Sequence, residues 1–280
     1  MVTELRPSPL AGTWYSGNPE RLQADVDAFL AQAELPDLDG EVVGVMAPHA
    51  GYRYSGYTTG YAFKAVMGLQ PDLVAVISPL HAYRPEPFLT TAHAGYQTPL
   101  GPVWVDQGAV QKLNAYLEAH IGVGLTFIEQ DNEHSLEIEL PFLQQALASD
   151  FKLLPVMVRA QSPELGQMLG NGLAEVLKSK QSLLVASTDL SHFYPEQVAD
   201  QLDQTMLERV ADFDPEGMFS TQDAGEGFAC GLGAVAAVLW AARDLGANDV
   251  QILHHSTSGD ATGDHQSVVG YGAAAILKSA

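Results

Sequence analysis

Cysteine is all but missing from this chain of 280 residues, where Cys230 stands alone. No intrachain disulfide can form, so packing must hold the core together, and a reducing compartment is the simple expectation. Basic residues are scarce, 13 Lys and Arg against 34 Asp and Glu, for a formal net charge of −21. Such a surface repels phosphate backbones and anionic membranes, which argues against nucleic-acid or membrane partners. Long hydrophobic runs are lacking too: stretches such as Ala229–Leu239 are broken by glycine and too short to span a bilayer. The opening MVTELRPSPLAG has no basic region followed by an apolar run, so no signal peptide is expected. The expectation is a soluble, cytoplasmic protein.

Apolar residues, by contrast, make up 46% of the chain, enough for a large core. No Ser/Gly tract, charge block or repeat divides it, and one domain is expected over residues 1–280. Apolar, β-branched runs at Val42–Ala47, Asp72–Ser78, Phe151–Val158, Ser182–Ser187, Asn248–His254 and Gln266–Leu277 predict strands buried on both faces. Helical spacing predicts helices over Pro19–Gln32, Gln107–Ala119, Ser135–Ala148, Ser162–Lys178, Pro195–Phe213 and Cys230–Leu245. The alternation gives an α/β fold, a layered, mainly parallel central sheet flanked by helices. Pro79–Asp106 reads as the longest irregular stretch, of the kind that often carries function.

Three of the predicted strands release a metal-ligating or acid–base residue just past their carboxyl ends. His49 follows in PHAGYRYSG, His81 in SPLHAY, and Asp189 with His192 in STDLSH. In open α/β sheets that edge is where ligand crevices form. Cys230 lies in GEGFACGLGAV at an expected helix N-terminus, which would favour its thiolate. The glycines around it formally match a dinucleotide fingerprint but follow no strand, so that match is set aside. Glu133, His134 and Glu137 fall within one turn of a helix start, with His134 and Glu137 on one face. They are read either as a dipole-favoured acidic N-terminus or as an outer carboxylate and an acid–base group. Tyr52 and Tyr54 are expected at the pocket mouth, and His254, His255, Asp260, Asp264 and His265 in a polar loop.

Imidazoles and a thiolate suit iron, zinc or copper far better than magnesium or calcium. The candidate ligands are His49, His81 and Cys230 around a divalent transition metal, iron foremost, with positions left open as in catalytic sites. His192 and His134 are the candidate proton carriers, and Asp189 orients the ligands. Two alternatives use the same residues: a non-catalytic cleft for a peptide or partner protein, and a metal-independent hydrolase with Cys230 as nucleophile and His192 or His134 as base. Spacing alone does not choose among them, nor does it give an oligomeric state.

The segments AGTWYSG (Ala11–Gly17), PHAGYRYSG (Pro48–Gly56), TPLGPVWVD (Thr98–Asp106), EHSLEIELPFL (Glu133–Leu143) and STDLSHFY (Ser187–Tyr194) together resemble the Memo family. Its bacterial members are named as the B protein of the AmmeMemoRadiSam system. The resemblance implies a fold similar to the class III extradiol dioxygenases, non-haem iron enzymes that cleave catechol rings. It matches His49 and His81 to two histidine ligands and Cys230 to the family's cysteine ligand. Asp189 and His192 match neighbouring active-site positions, with His192 at the acid–base histidine. Dioxygenases use a carboxylate where this chain has Cys230, and a thiolate there is open to oxidation. The implied ligand is a small molecule or a peptide, and family members in eukaryotes are described as signalling proteins that bind phosphotyrosine-type peptides and act in redox control.

Overall fold

A computed structural model describes residues 4–279. In chain order the elements are β1 (Leu5–Arg6), α1 (Pro19–Gln32), β2 (Glu41–Ala47), α2 (Tyr52–Lys64), β3 (Leu73–Pro79), β4 (Phe88–Thr91), β5 (Gly95–Thr98), β6 (Gly101–Trp104), α3 (Gln107–Ile121) and β7 (Thr126–Ile128). There follow α4 (Leu140–Ala146), β8 (Lys152–Val158), α5 (Pro163–Leu177), β9 (Ser182–Ser187), β10 (His192–Tyr194), α6 (Glu196–Ala211), α7 (Pro215–Asp223), α8 (Leu232–Asp244), β11 (Asp249–Thr257), α9 (Ser258–Thr262) and β12 (Val268–Lys278). None of the described helices is long and apolar enough to cross a membrane.

The central sheet runs β10-β12-β2-β9-β3-β8-β4-β7, with β11 on β12, while β1, β5 and β6 form a small second sheet. Its four middle strands, β2, β9, β3 and β8, are parallel and almost wholly buried. This is the continuously apolar centre that the sequence predicts, and only a strand covered on both faces tolerates LVAVIS without a polar side. The flanks are mixed: β12 pairs antiparallel with β2, β10 and β11, and β4 antiparallel with β8 but parallel with β7. Helix α8, backed by α5, covers β3 and β9, and α2, backed by α1 and α4, covers β2 and β12.

Three stretches differ from their sequence reading. Residues Gly51–Gly56, read as groups that hydrogen-bond a ligand or cover the pocket mouth, cap and open the helix α2. Its sequence YRYSGYTTGYAFK is poor in strong helix formers, so propensity hides it. Packing explains its glycines: a Cβ on Gly60 would stand 2.6 Å from the Phe29 carbonyl oxygen, and one on Gly56 2.6 Å from the Phe29 ring, so α1 and α2 could not approach as closely. The helix expected over Ser135–Ala148 starts later, with a 3-10 turn at Glu137–Glu139 and α4 from Leu140. Pro141 in the first turn of α4, with no N–H to give, suits a start there. The irregular stretch Pro79–Asp106 holds the short strands β4, β5 and β6.

Candidate metal centre

Parallel pairing of β2, β9 and β3 lines up their carboxyl ends, so residues 140 positions apart in sequence meet at one edge. His49 follows β2 and is almost fully buried. Its backbone N–H donates to Asp189 Oδ1 at 2.8 Å, which ties the β2 end to the turn after β9. Its Nδ1 lies 2.9 Å from Ser187 Oγ, whose hydroxyl donates to the Ser135 carbonyl at 2.6 Å. With that proton committed, Ser187 can only accept from His49, which places the proton on Nδ1 and frees the Nε2 lone pair.

Glu133 does the same for His81. Its carboxylate accepts the His81 backbone N–H at 2.6 Å and lies 2.9 Å from His81 Nδ1. It also accepts the backbone N–H groups of His134 and Ser135, at 3.0 and 3.1 Å. Burial alone would raise this carboxyl, but the His81 hydrogen bonds and charge outweigh it and hold Glu133 well below the usual carboxylate range. Burial likewise lowers His81, and Glu133 reverses that and raises it.

His134 completes the group. Its ring stacks on His81 at 4.6 Å between centroids and meets His49 edge-on at 5.4 Å, with Trp14 packed against it at 4.4 Å. One ligand atom each from His49, His81 and His134 lies within 4.8 Å of the others, the one such group among the described residues. Burial, reinforced by its imidazole neighbours, lowers His49 far below the ordinary histidine value. Burial brings His134 to about 4, against the opposing charge of Glu133. Both rings are therefore neutral at ordinary pH, the form that ligates metals.

Cys230 sits outside that trio but beside it. Its Sγ is 3.1 Å from His49 Nε2 and accepts the Asp189 N–H at 3.2 Å. The helix α8 begins two residues later, with Gly231 at its cap. The expected helix-terminal lowering does not prevail: burial, with Asp189 nearby, pushes the thiol up. Asp189 is also raised, to about 7, by burial against the His49 N–H bond. His192 opens β10 and joins His49, His81, His134 and Asp189 around a cavity of about 390 Å³, walled by Trp14, Tyr54 and Tyr271. Burial lowers His192 as well. The imidazole in contact with Cys230 is that of His49, not the His192 or His134 expected for a nucleophile–base pair.

Other sequence candidates go elsewhere. Glu137 does not pair with His134; it is bound by Arg6, Ser8 and Tyr15 in a buried knot that also holds Asp131. His254 and His255 lie on β11 rather than in a polar loop, and His265 pairs with Glu196. Glu133 and Ser187, which orient the imidazoles, gave little sign of it in sequence. Ser187 is one more small strand residue there, and only Glu133's place beside His134 hinted at its role.

The donor set fits a transition metal. Neutral imidazoles suit iron, zinc or copper, and the ligand atoms of His49, His81 and His134 lie within 4.8 Å of one another. Carboxylate or hydroxyl partners on the second ring nitrogen are the usual company of metal-bound histidines.

The Memo-like protein family model matches residues 6–275, and the chain belongs to the Memo family. A MEMO1 family protein of Nitrosopumilus maritimus is 34% identical over 277 residues, covering 96% of this chain and 98% of its own. One from Methanopyrus kandleri is 31% identical over 285 residues, covering 96% and 97%. Among solved structures, an uncharacterized protein from Escherichia coli K12 superposes with a TM-score of 0.50 at 16% identity, over 83% of this chain and 99% of that one, a likeness of fold alone.

Proposed function

We propose that the protein binds a transition metal, iron foremost and zinc or copper as alternatives, and carries out dioxygenase-like, oxygen-linked or redox chemistry on a small molecule or modified residue. The observation that carries this reading is the convergence of His49, His81 and His134, each imidazole backed on its far side. His49 and His81 are the shared core of the site. His134 is the third ligand the geometry favours, with Cys230 as the adjacent donor that the family resemblance prefers. A bound metal would supply a Lewis-acidic centre with open positions for an oxygen-bearing ligand.

The remaining residues act around that centre. Asp189, held at about 7, can exchange a proton at neutral pH while keeping His49 in place through its backbone N–H. His192, neutral and at the cavity wall, accepts or returns a proton from a bound ligand. Trp14, Tyr54 and Tyr271 offer flat apolar walls suited to a planar substrate. A metal-free cysteine hydrolase is less well supported, because the Cys230 thiol is raised and its His49 partner lowered, both opposing a thiolate–imidazolium pair.

Metal analysis of protein prepared without a chelating tag tests the reading. Stoichiometric metal that disappears in His49→Ala and in His81→Ala supports it, and the loss in His134→Ala against Cys230→Ser ranks the third ligand. Native protein that neither retains nor takes up a transition metal would refute it.

A further inference from the structure

The turn Asp189–His192 carries two of the site's groups, and besides its tie to β2 through the His49 N–H it is braced from two further elements. From β12, Gly270 accepts the Leu190 N–H at 2.8 Å and donates to the Ser191 carbonyl at 2.9 Å. From α6, Asp203 Oδ1 accepts the Ser191 N–H at 2.8 Å, and its Oδ2 lies 2.9 Å from His255 Nε2. Asp203 is completely buried. A desolvated carboxylate inside a helix is costly unless its lone pairs are met, and here they are met by the turn and by β11. Position 270 is glycine for the same reason: a Cβ there would come within 1.8 Å of Asp203 Oδ2. The turn in turn grips Cys230, whose Sγ accepts the Asp189 N–H and whose own N–H donates to the Asp189 carbonyl at 3.2 Å.

We propose that Asp203 is a positioning residue of the site, clamping the Ser191 N–H so that Asp189, His192 and Cys230 are held in register with His49. Asp203 touches neither the imidazole trio nor the cavity; it acts through the turn. The inference rests on reading that turn as part of the proposed centre, but its test needs no metal, so the two can fail separately.

The single cysteine makes the test specific. In the metal-free, full-length protein, Cys230 modification by a dithiobis-nitrobenzoate reagent and amide exchange across residues 189–193 are measured together. Losing a buried charge-assisted hydrogen bond should speed both by about tenfold or more in Asp203→Ala. Asp203→Asn, whose amide oxygen still accepts the Ser191 N–H, should restore most of the protection. Gly270→Ala should mimic Asp203→Ala, and adding it to Asp203→Ala should do little more, because the carboxylate it collides with is gone. Native rates at Cys230 and at 189–193 in Asp203→Ala would overturn the assignment, even if overall stability fell. Should that variant fail to fold, native rates in Gly270→Ala would overturn it equally.

Discussion

Two histidine-bearing cavities share the wall formed by Tyr54, and only one of them brings its imidazoles to a common point. The first, of about 390 Å³, gathers His49, His81 and His134 from three separate segments. The second, of about 460 Å³, holds His254 and His255, neighbours on β11. In the first, Nδ1 of each ring meets a serine or glutamate oxygen at 3.2 Å or less, and the ligand atoms converge. In the second the rings part company: His254 stacks on Tyr61 and lies 3.0 Å from Thr58 Oγ1, while His255 turns to Asp203. Both cavities hold histidines; what differs is whether the outer partners aim the rings at a common point.

The largest expected effect follows directly. His49→Ala or His81→Ala should weaken metal binding by about a hundredfold or more, while His254→Ala should leave it within about threefold, as titration of the metal-free protein would show. Comparable losses from His254→Ala would erase the contrast. Next is Glu133, which aims His81 and His134 together. Glu133→Gln should weaken metal binding by about 10–100-fold. It should also lower the pH at which His81 takes up a proton in the metal-free protein, since Glu133 is the chief group that raises it.

A smaller effect concerns stability of the metal-free protein. His134 sits at about 4 in the folded chain against about 6.5 when unfolded, so the folded state binds fewer protons between those values. Its contribution is fully present above pH about 6.5 and is lost as pH falls towards 4, on the order of 2 kcal/mol. His134→Asn should flatten the urea-unfolding stability across that window. Asp189 works in the opposite sense: its carboxyl is raised to about 7, so its contribution is present in acid and is lost as pH rises through 7. Asp189→Asn should flatten that upper window instead. The smallest effect on the site itself is expected away from both cavities' histidines, at the α1–α2 contact. Gly60→Ala should cost about 1–3 kcal/mol by overpacking against Phe29, with metal binding unchanged.

Much of this architecture was legible in the chain itself. The runs around Val45, Val76 and Leu184 are apolar on both faces, and that alone announces the parallel centre of the sheet. The residues just beyond those runs, His49, His81 and Asp189, were legible for the same reason, because strand ends in such a sheet share an edge. The antiparallel flanks were not, since β12 reads like any other buried strand until its partners are known. Helix α2 was hidden by glycines that serve packing against Phe29 rather than helix propensity. His134 was noticed, but as a proton carrier at a helix start beside Glu137 rather than as a ligand. Its place opposite His49 depends on a loop whose shape is set by Glu133 collecting three backbone N–H groups. The pairings that join separate segments, Glu133 with His81 and His49 with Asp189, span 52 and 140 residues of sequence, and no local pattern encodes them.

X-ray absorption at the metal edge of the loaded protein reads the ligands themselves. The expected spectrum shows a metal surrounded mainly by imidazole nitrogen, losing one imidazole in His134→Ala and keeping its nitrogens in Cys230→Ser. A shell without imidazole, or one unaltered by substitution of His49 and His81, would contradict it.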